Sequence, residues 1–274
     1  MPTIEENGLT INYGEAGKGP VLVLLHAAGS SGAQWRGVLG ELDHEHYTLT
    51  PDLWGHGKSS FWPDPETLLH DDQANLVKRI LDEVGVESLD LIGHSYGGGT
   101  AIRFVLEHPE MVRSLVLIEP MVACLLRELG ETDALNQLEG IQDDFRARLA
   151  QDGPEAAWQE FLDFRNEPGT WIGYAEKTRQ NFIRRTPAQL ANFNANANNR
   201  TTQTELKSIK KPTLVLRGVD TSLYDVRMSE IVAENIPDAK FLILEDAGHM
   251  SPLTHPERVT QEILWHIGAE TVSA

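Results

Sequence analysis

Gly93-His94-Ser95-Tyr96-Gly97 follows the apolar run Leu89-Asp90-Leu91-Ile92 and precedes a segment of helical spacing at residues 98–106. A serine at the apex of a sharp strand-to-helix turn adopts strained backbone angles and needs neighbours without bulk. Gly93, Gly97, Gly98 and Gly99 meet that need. Such a turn lifts the hydroxyl above a sheet, and the start of the following helix favours negative charge beside it. Ser95 is therefore the first candidate nucleophile.

The surrounding pattern supports the same geometry. Ile4, Leu9, Ile11 and Tyr13 flank Asn7-Gly8, a two-residue hairpin signal. The glycine-rich stretch at residues 14–20 is expected to end that hairpin. Short continuous apolar runs then occur at residues 21–25, 47–50, 89–92, 115–118, 213–216 and 241–244. Runs without alternation are what parallel strands covered on both faces require. Helical patterns lie between them, at residues 34–42, 66–84, 98–107, 226–235 and 256–267. This alternation predicts an α/β fold with a doubly wound, mostly parallel sheet.

One interval breaks the rhythm. Residues 121–210 hold no credible strand but show helical spacing at 134–149, 154–164, 171–184 and 187–198. The expectation is a helical lid inserted after the sixth core strand, with residues 1–120 and 211–274 forming the core. The asparagine-rich run at residues 192–199 reads as a helix end or the edge of that lid.

Composition narrows the class. The single cysteine, Cys124, excludes an internal disulfide and reads as a small buried hydrophobe. A net charge of −18 repels phosphate backbones and anionic lipid, which argues against nucleic-acid or membrane partners; the expected partner is a small-molecule substrate. No apolar run is long enough to span a bilayer, and residues 1–7 lack a basic, signal-like start, so a cytoplasmic location is expected. The clusters Asp43-His44-Glu45-His46 and His70-Asp71-Asp72 lack helix-spaced metal ligands with a third partner. They are expected to be exposed turns, and no metal or cofactor is expected.

A serine hydroxyl needs a base, and the base needs an orienting acid. His249, in Gly248-His249-Met250, follows the last predicted strand and precedes the last helix. That places it at the carboxyl ends of the strands, where a doubly wound sheet keeps its site. The oxyanion of acyl transfer needs backbone donors. Candidates are the amide of Tyr96 and, from the small-residue loop at 26–32, that of Ala28; His26 reads as a loop brace. Trp35, Trp54, Trp158, Trp171 and Phe193 are candidates to line an acyl pocket.

Four stretches together resemble the α/β-hydrolase superfamily nearly end to end. They are His26-Ala27-Ala28-Gly29, the turn from Pro51 to Ser59, the Gly93–Gly97 turn and Ala247-Gly248-His249. The resemblance implies a cofactor-free serine hydrolase of the esterase, carbon–carbon hydrolase or haloperoxidase-like branch. It implies the chain order serine, acid, histidine, and a buttressing role for the turn at 51–59. Relatives usually place the acid three or four residues past the glycine ending the seventh strand. Here Thr221 and Ser222 stand there, with Asp220 one residue early. Glu119, in Leu117-Ile118-Glu119-Pro120, offers a carboxylate at the end of the sixth strand, an arrangement found in some relatives. Glu119 is favoured, Asp220 stays open, and Asp225 is a lesser candidate. Ester hydrolysis is the leading expectation. Carbon–carbon hydrolysis, perhydrolysis, hydroxynitrile cleavage and a receptor-like ligand-binding role are the alternatives.

Overall fold

The computed structural model describes residues 2–42 and 44–271. Its strands form one sheet: β1 (Thr3–Glu6), β2 (Leu9–Gly17), β3 (Val21–Leu25), β4 (Tyr47–Pro51), β5 (Leu89–His94), β6 (Val112–Ile118), β7 (Thr213–Asp220) and β8 (Lys240–Gly248). Their spatial order is β1-β2-β4-β3-β5-β6-β7-β8. The β1–β2 and β2–β4 pairs are antiparallel and all the others parallel.

Asn7 and Gly8 both sit at positive φ, 51° and 77°, as a tight primed hairpin turn demands. The glycines after Tyr13 do not end the strand as expected. β2 runs on to Gly17 and pairs Gly14 with Thr50 of β4. A Cβ at Gly14 would lie 2.4 Å from Thr50 Oγ1, so the glycine lets the two strands approach instead of breaking one.

Helices cover both faces. A 3₁₀ turn (Gly32–Trp35) leads into α1 (Arg36–Leu42), followed by α2 (His70–Val84) and α3 (Tyr96–Glu107). Between β6 and β7 come α4 (Ala123–Leu129), α5 (Thr132–Asp152), α6 (Pro154–Arg165), α7 (Thr170–Gly173), α8 (Glu176–Arg184), α9 (Thr186–Asn198) and α10 (Gln203–Ser208). The chain closes with α11 (Leu223–Asn235), α12 (Ser251–Thr254) and α13 (Pro256–Thr271).

The inner strands read as unbroken apolar runs because they bury alternate residues in different cores, whereas the edge strand β8 leaves Phe241 and Ile243 exposed. Leu22, Leu24, Ile92, Val116 and Leu216 pack with Trp35 and Val38 on one side and with Val259 and Ile263 of α13. Val23, Leu25, Leu91, Leu115 and Val215 pack on the other side with Val77, Phe104 and Met228, from α2, α3 and α11. Each such side chain removed from solvent stabilises the fold by roughly 1.5–3 kcal/mol.

No strand occurs between β6 and β7 among the described residues, as expected. The helical interval has its own apolar cluster of Phe145, Ala157, Trp158, Leu162, Trp171 and Phe193. Two boundaries differ from expectation. The helix expected from residue 66 starts at His70, because Asp64 folds the preceding residues into a turn by accepting from the Glu66 and Thr67 amides. The helix expected over 171–184 divides after Gly173 into α7 and α8. The short α4 and α10 carried no periodic signal of their own.

Candidate active site

Ser95 occupies the turn between β5 and α3 with φ 53° and ψ −116°, a conformation that L-residues rarely hold. Close packing enforces it. A Cβ on Gly93 would stand 2.5 Å from Gly97 O, and one on Gly97 would stand 2.4 Å from Leu25 O. Ser95 N–H donates to Ile118 O at 2.9 Å, and its carbonyl accepts from the amides of Gly98 and Met121. The turn is thereby clamped to the end of β6.

Glu119 is the next residue on that strand end. It too has positive φ, 44°, and its N–H donates to Leu216 O on β7. Its carboxylate is fully buried. Oε1 accepts from Gly218 N at 2.8 Å, while Oε2 accepts from Thr221 Oγ1 at 2.8 Å and meets His249 Nδ1 at 2.6 Å. Burial pushes this carboxyl up, but the hydrogen bond and charge of His249, with the Gly218 amide and the Thr221 hydroxyl, hold it at about 2. It is therefore an anion at neutral pH, hydrogen-bonded to His249 Nδ1.

Of the candidate acids, Glu119 is the one brought to the imidazole. Asp220 is exposed, and only its backbone registers with Gly248 across the β7–β8 pair. The side chain at the expected acid position, Thr221, instead donates to the acid supplied by β6. Asp225, in the first turn of α11, is fully buried with Oδ1 3.7 Å from His249 Nδ1. Its Oδ2 is held at 2.7 Å by Arg165 Nη1 from the end of α6. That guanidinium also bonds Ser222 and the Tyr224 hydroxyl. Burial opposes the Arg165 charge, but Asp225 beside it more than compensates and raises its pKa. Glu119, Asp225 and His249 stand close enough to share a cation. The guanidinium already neutralising Asp225 and the paired oxygens of Glu119 make this a hydrogen-bonded acid–imidazole group and not an open ligand set.

Arg165 had no sequence signal, since it lies 60 residues from Asp225. Thr221 had one. A hydroxyl where an acid is usual, beside a spare acid on the neighbouring strand end, marks a transferred carboxylate.

The loop after β3 faces Ser95. Neither the Ala28 nor the Tyr96 N–H has a protein acceptor among the described residues, and both residues line the same cavity as Ser95 and His249. The loop is held by buried polar contacts. Ala27 N–H donates to Gln34 Oε1 at 3.1 Å, Gln34 Nε2 to His94 Nδ1 at 3.1 Å, and His94 Nε2–H to His249 O at 2.8 Å. One chain of hydrogen bonds thus joins the loop, the residue before Ser95 and the backbone of His249. Burial lowers the His94 pKa to about 3, keeping it neutral as this chain requires.

His26 is the expected brace, accepting from Leu53 N–H at 3.1 Å and bonding Ala27 O. The turn at 51–59 buttresses the loop through Asp52, whose carboxylate accepts from Gly32 N–H, Lys58 N–H and Asn12 Nδ2. Gly57 is obligatory there, because a Cβ would fall 1.9 Å from Asp52 Oδ2.

The cavity holds about 880 Å³, mouth included. Met121, Leu138, Ile141, Phe161, Leu162, Phe182, Phe193 and Leu253 give it a large apolar surface. Of the five aromatics expected there, Phe193 alone lines it. Trp158 and Trp171 fill the core of the helical interval, Trp35 packs under the sheet, and Trp54 joins the main core. Large rings more often fill cores than line pockets, and the lining aromatics Phe161, Phe182, Tyr174 and Tyr224 had no distinguishing spacing. Cys124 is half-buried against the main core.

His70 departs from the expected exposed turn. It opens α2, is buried, and joins Thr100 Oγ1 to Asn196 Oδ1. His44 and Glu45 do form an exposed turn, while Asp43 lies outside the described residues.

A family model described as the alpha/beta hydrolase fold matches residues 20–256. The chain is 26% identical over 264 residues to a 2-hydroxymuconate semialdehyde hydrolase of Pseudomonas putida, covering 92% of this chain and 88% of the relative. Among solved structures, it resembles an alpha/beta hydrolase enzyme from a Medee basin deep-sea metagenome library. That match has a TM-score of 0.83 at 19% identity and covers 97% of each chain. A thermophilic esterase from Thermogutta terrifontis matches with a TM-score of 0.77 at 24% identity, over 98% of this chain and 97% of that one.

Proposed function

The chain belongs to the alpha/beta hydrolase fold family and is a hydrolase, and from that premise we propose that it cleaves a small carboxylic ester through a Ser95–His249–Glu119 triad without a cofactor. One observation carries the reading. Ser95 at its strained turn and His249, whose Nδ1 is fixed 2.6 Å from the buried Glu119 anion, line a single cavity.

In this mechanism His249 Nε2 takes the Ser95 proton as Oγ attacks the substrate carbonyl carbon. The free amides of Ala28 and Tyr96 receive the oxyanion. Collapse of the tetrahedral adduct expels the alcohol, which takes the proton from His249 and leaves an acyl group on Ser95. Water activated by His249 then releases the acid and restores the serine. Glu119 keeps the proton on Nδ1 and balances the imidazolium charge. The helices over residues 121–210 serve as a lid on the core of residues 1–120 and 211–274. Leu138, Phe161, Phe182 and Phe193 of α5, α6, α8 and α9 support this, since they line the cavity that holds Ser95.

The likeness to the Pseudomonas putida hydrolase favours a second reading: hydrolysis of a carbon–carbon bond in a ring-fission product by the same side chains. Turnover of short-chain nitrophenyl esters beside such a product separates the two. In either case Ser95→Ala is expected to lower kcat on the order of 10³-fold or more. Turnover that survives the substitution refutes the nucleophile.

A further inference from the structure

Four carboxamides line the cavity, Gln142, Asn166, Gln189 and Asn196; Asn166 bonds Leu162 O and Asn196 bonds His70, which leaves Gln189 and Gln142 without a side-chain hydrogen bond. Gln189 projects from α9 and is 2% exposed, and its Oε1 has no hydrogen-bond partner. Among the described residues lining the cavity, no other has a buried polar side-chain atom left unpartnered. Gln142, from α5 and 9% exposed, makes no side-chain hydrogen bond to the protein either. Leu138, Ile141, Phe161 and Phe193 line the same cavity and offer no polar side-chain partner. A buried amide left unpaired is costly, and most buried polar groups in folded proteins are satisfied. Gln189 Oε1 gains a partner only from a group that enters the cavity, and the Gln142 amide, which keeps some exposure, is free to meet the same group.

The chemistry of that group follows from the donors and acceptors. A carboxamide presents an acceptor oxygen and a donor N–H₂ together. A hydrocarbon acyl chain would satisfy neither. A carboxylate would accept only, and it would bring a charge into a wall whose cation, Arg165, is already engaged by Asp225, Ser222 and Tyr224. A secondary amide donates and accepts at adjacent atoms and carries no charge. We propose that the substrate bears a secondary amide in its acyl part, held by Gln189 and Gln142 while Ser95 faces the scissile carbonyl. This names the substrate class of the site described above, and rests on the hydrolytic reading for the bond that is cut.

Two esters of equal chain length test it: 4-nitrophenyl N-acetyl-β-alaninate and 4-nitrophenyl hexanoate. Binding is measured by calorimetry on Ser95→Ala, so that no turnover is needed. The amide ester is expected to bind at least about tenfold more tightly, the effect of one or two well-made hydrogen bonds. Gln189→Leu in the same background is expected to shrink that ratio below about threefold. Gln142→Leu gives a second, independent reading, and hexanoate binding reports whether each variant is folded. Equal or tighter binding of hexanoate, or a ratio that survives both substitutions, overturns the amide subsite. Wild-type turnover is followed in parallel. Absence of Ser95-dependent hydrolysis with the binding ratio intact overturns the hydrolytic reading and leaves the subsite standing.

Discussion

Glu119 Oε2 lies 2.6 Å from His249 Nδ1, while the Asp220 side chain is exposed. Glu119 reaches His249 Nδ1 because positive φ at its own position swings the side chain off the end of β6 and under the β7 loop. Gly218 N–H and Thr221 Oγ1 then fix both carboxylate oxygens. Glu119→Gln keeps the shape but presents an amide that no longer compels the right histidine tautomer. Its kcat is expected to fall about 10⁴-fold, as for the equivalent change in other triads. Asp220→Asn, on an exposed side chain, is expected to stay within about twofold. Steady-state kinetics on both variants check this, and the reverse ranking would move the role to Asp220.

Among the elements, α8 and α9 do more than line the cavity. At their junction Arg185 Nη1 donates to Gly29 O at 3.2 Å and to Ser30 O at 3.0 Å. These carbonyls belong to the loop that presents the Ala28 amide. The guanidinium is largely buried, and burial lowers its pKa. Hydrogen bonds to a charged group contribute about 1.5–3 kcal/mol, so Arg185→Met is expected to lower kcat about tenfold or more by loosening the oxyanion loop. KM for a short ester should change far less, because the substitution removes no contact to the acyl chain. A loss confined to KM would show that Arg185 shapes the cavity and does not position the loop.

For the molecule as a whole, pH stability follows from its buried imidazoles. His26, His56, His70 and His94 are neutral and buried, and burial, the largest cause in each case, lowers their pKa values to about 4, 3, 4 and 3. The unfolded chain protonates these groups near 6.5, so between that value and the folded pKa it binds more protons than the native state. Their contribution is fully present above pH 6.5 and is lost as pH falls toward 4, with a slope of about 1.4 kcal/mol per unit for each group. Glu119, depressed to about 2, adds stability that is present above its unfolded value and lost on further acidification. The melting temperature is thus expected to be flat from pH 8 to 7 and to drop steeply from 6.5 to 4.5. A melting temperature unchanged down to pH 4.5 would contradict the neutral assignment of these histidines.

Much of this was legible without coordinates because it is local. The Gly93–Gly97 turn, the loop at 26–32 and the Asp52 turn each need small residues or a specific acid within a few positions. Neighbouring residues state those needs directly. The continuous apolar runs likewise announce a two-faced parallel sheet, since alternate residues must enter different cores. What was not legible concerns contacts across long chain separations. Glu119 and His249 are 130 positions apart and Arg165 and Asp225 are 60 apart. Glu119 could be favoured from the Leu117–Pro120 stretch, but its bond to the imidazole is set by backbone angles at the strand end, which composition does not encode. The cavity wall depends on how α5, α6, α8 and α9 pack over the sheet. Spacing shows that these helices have an apolar face, but the packing of the whole chain determines that Gln189 and Gln142 look inward from it.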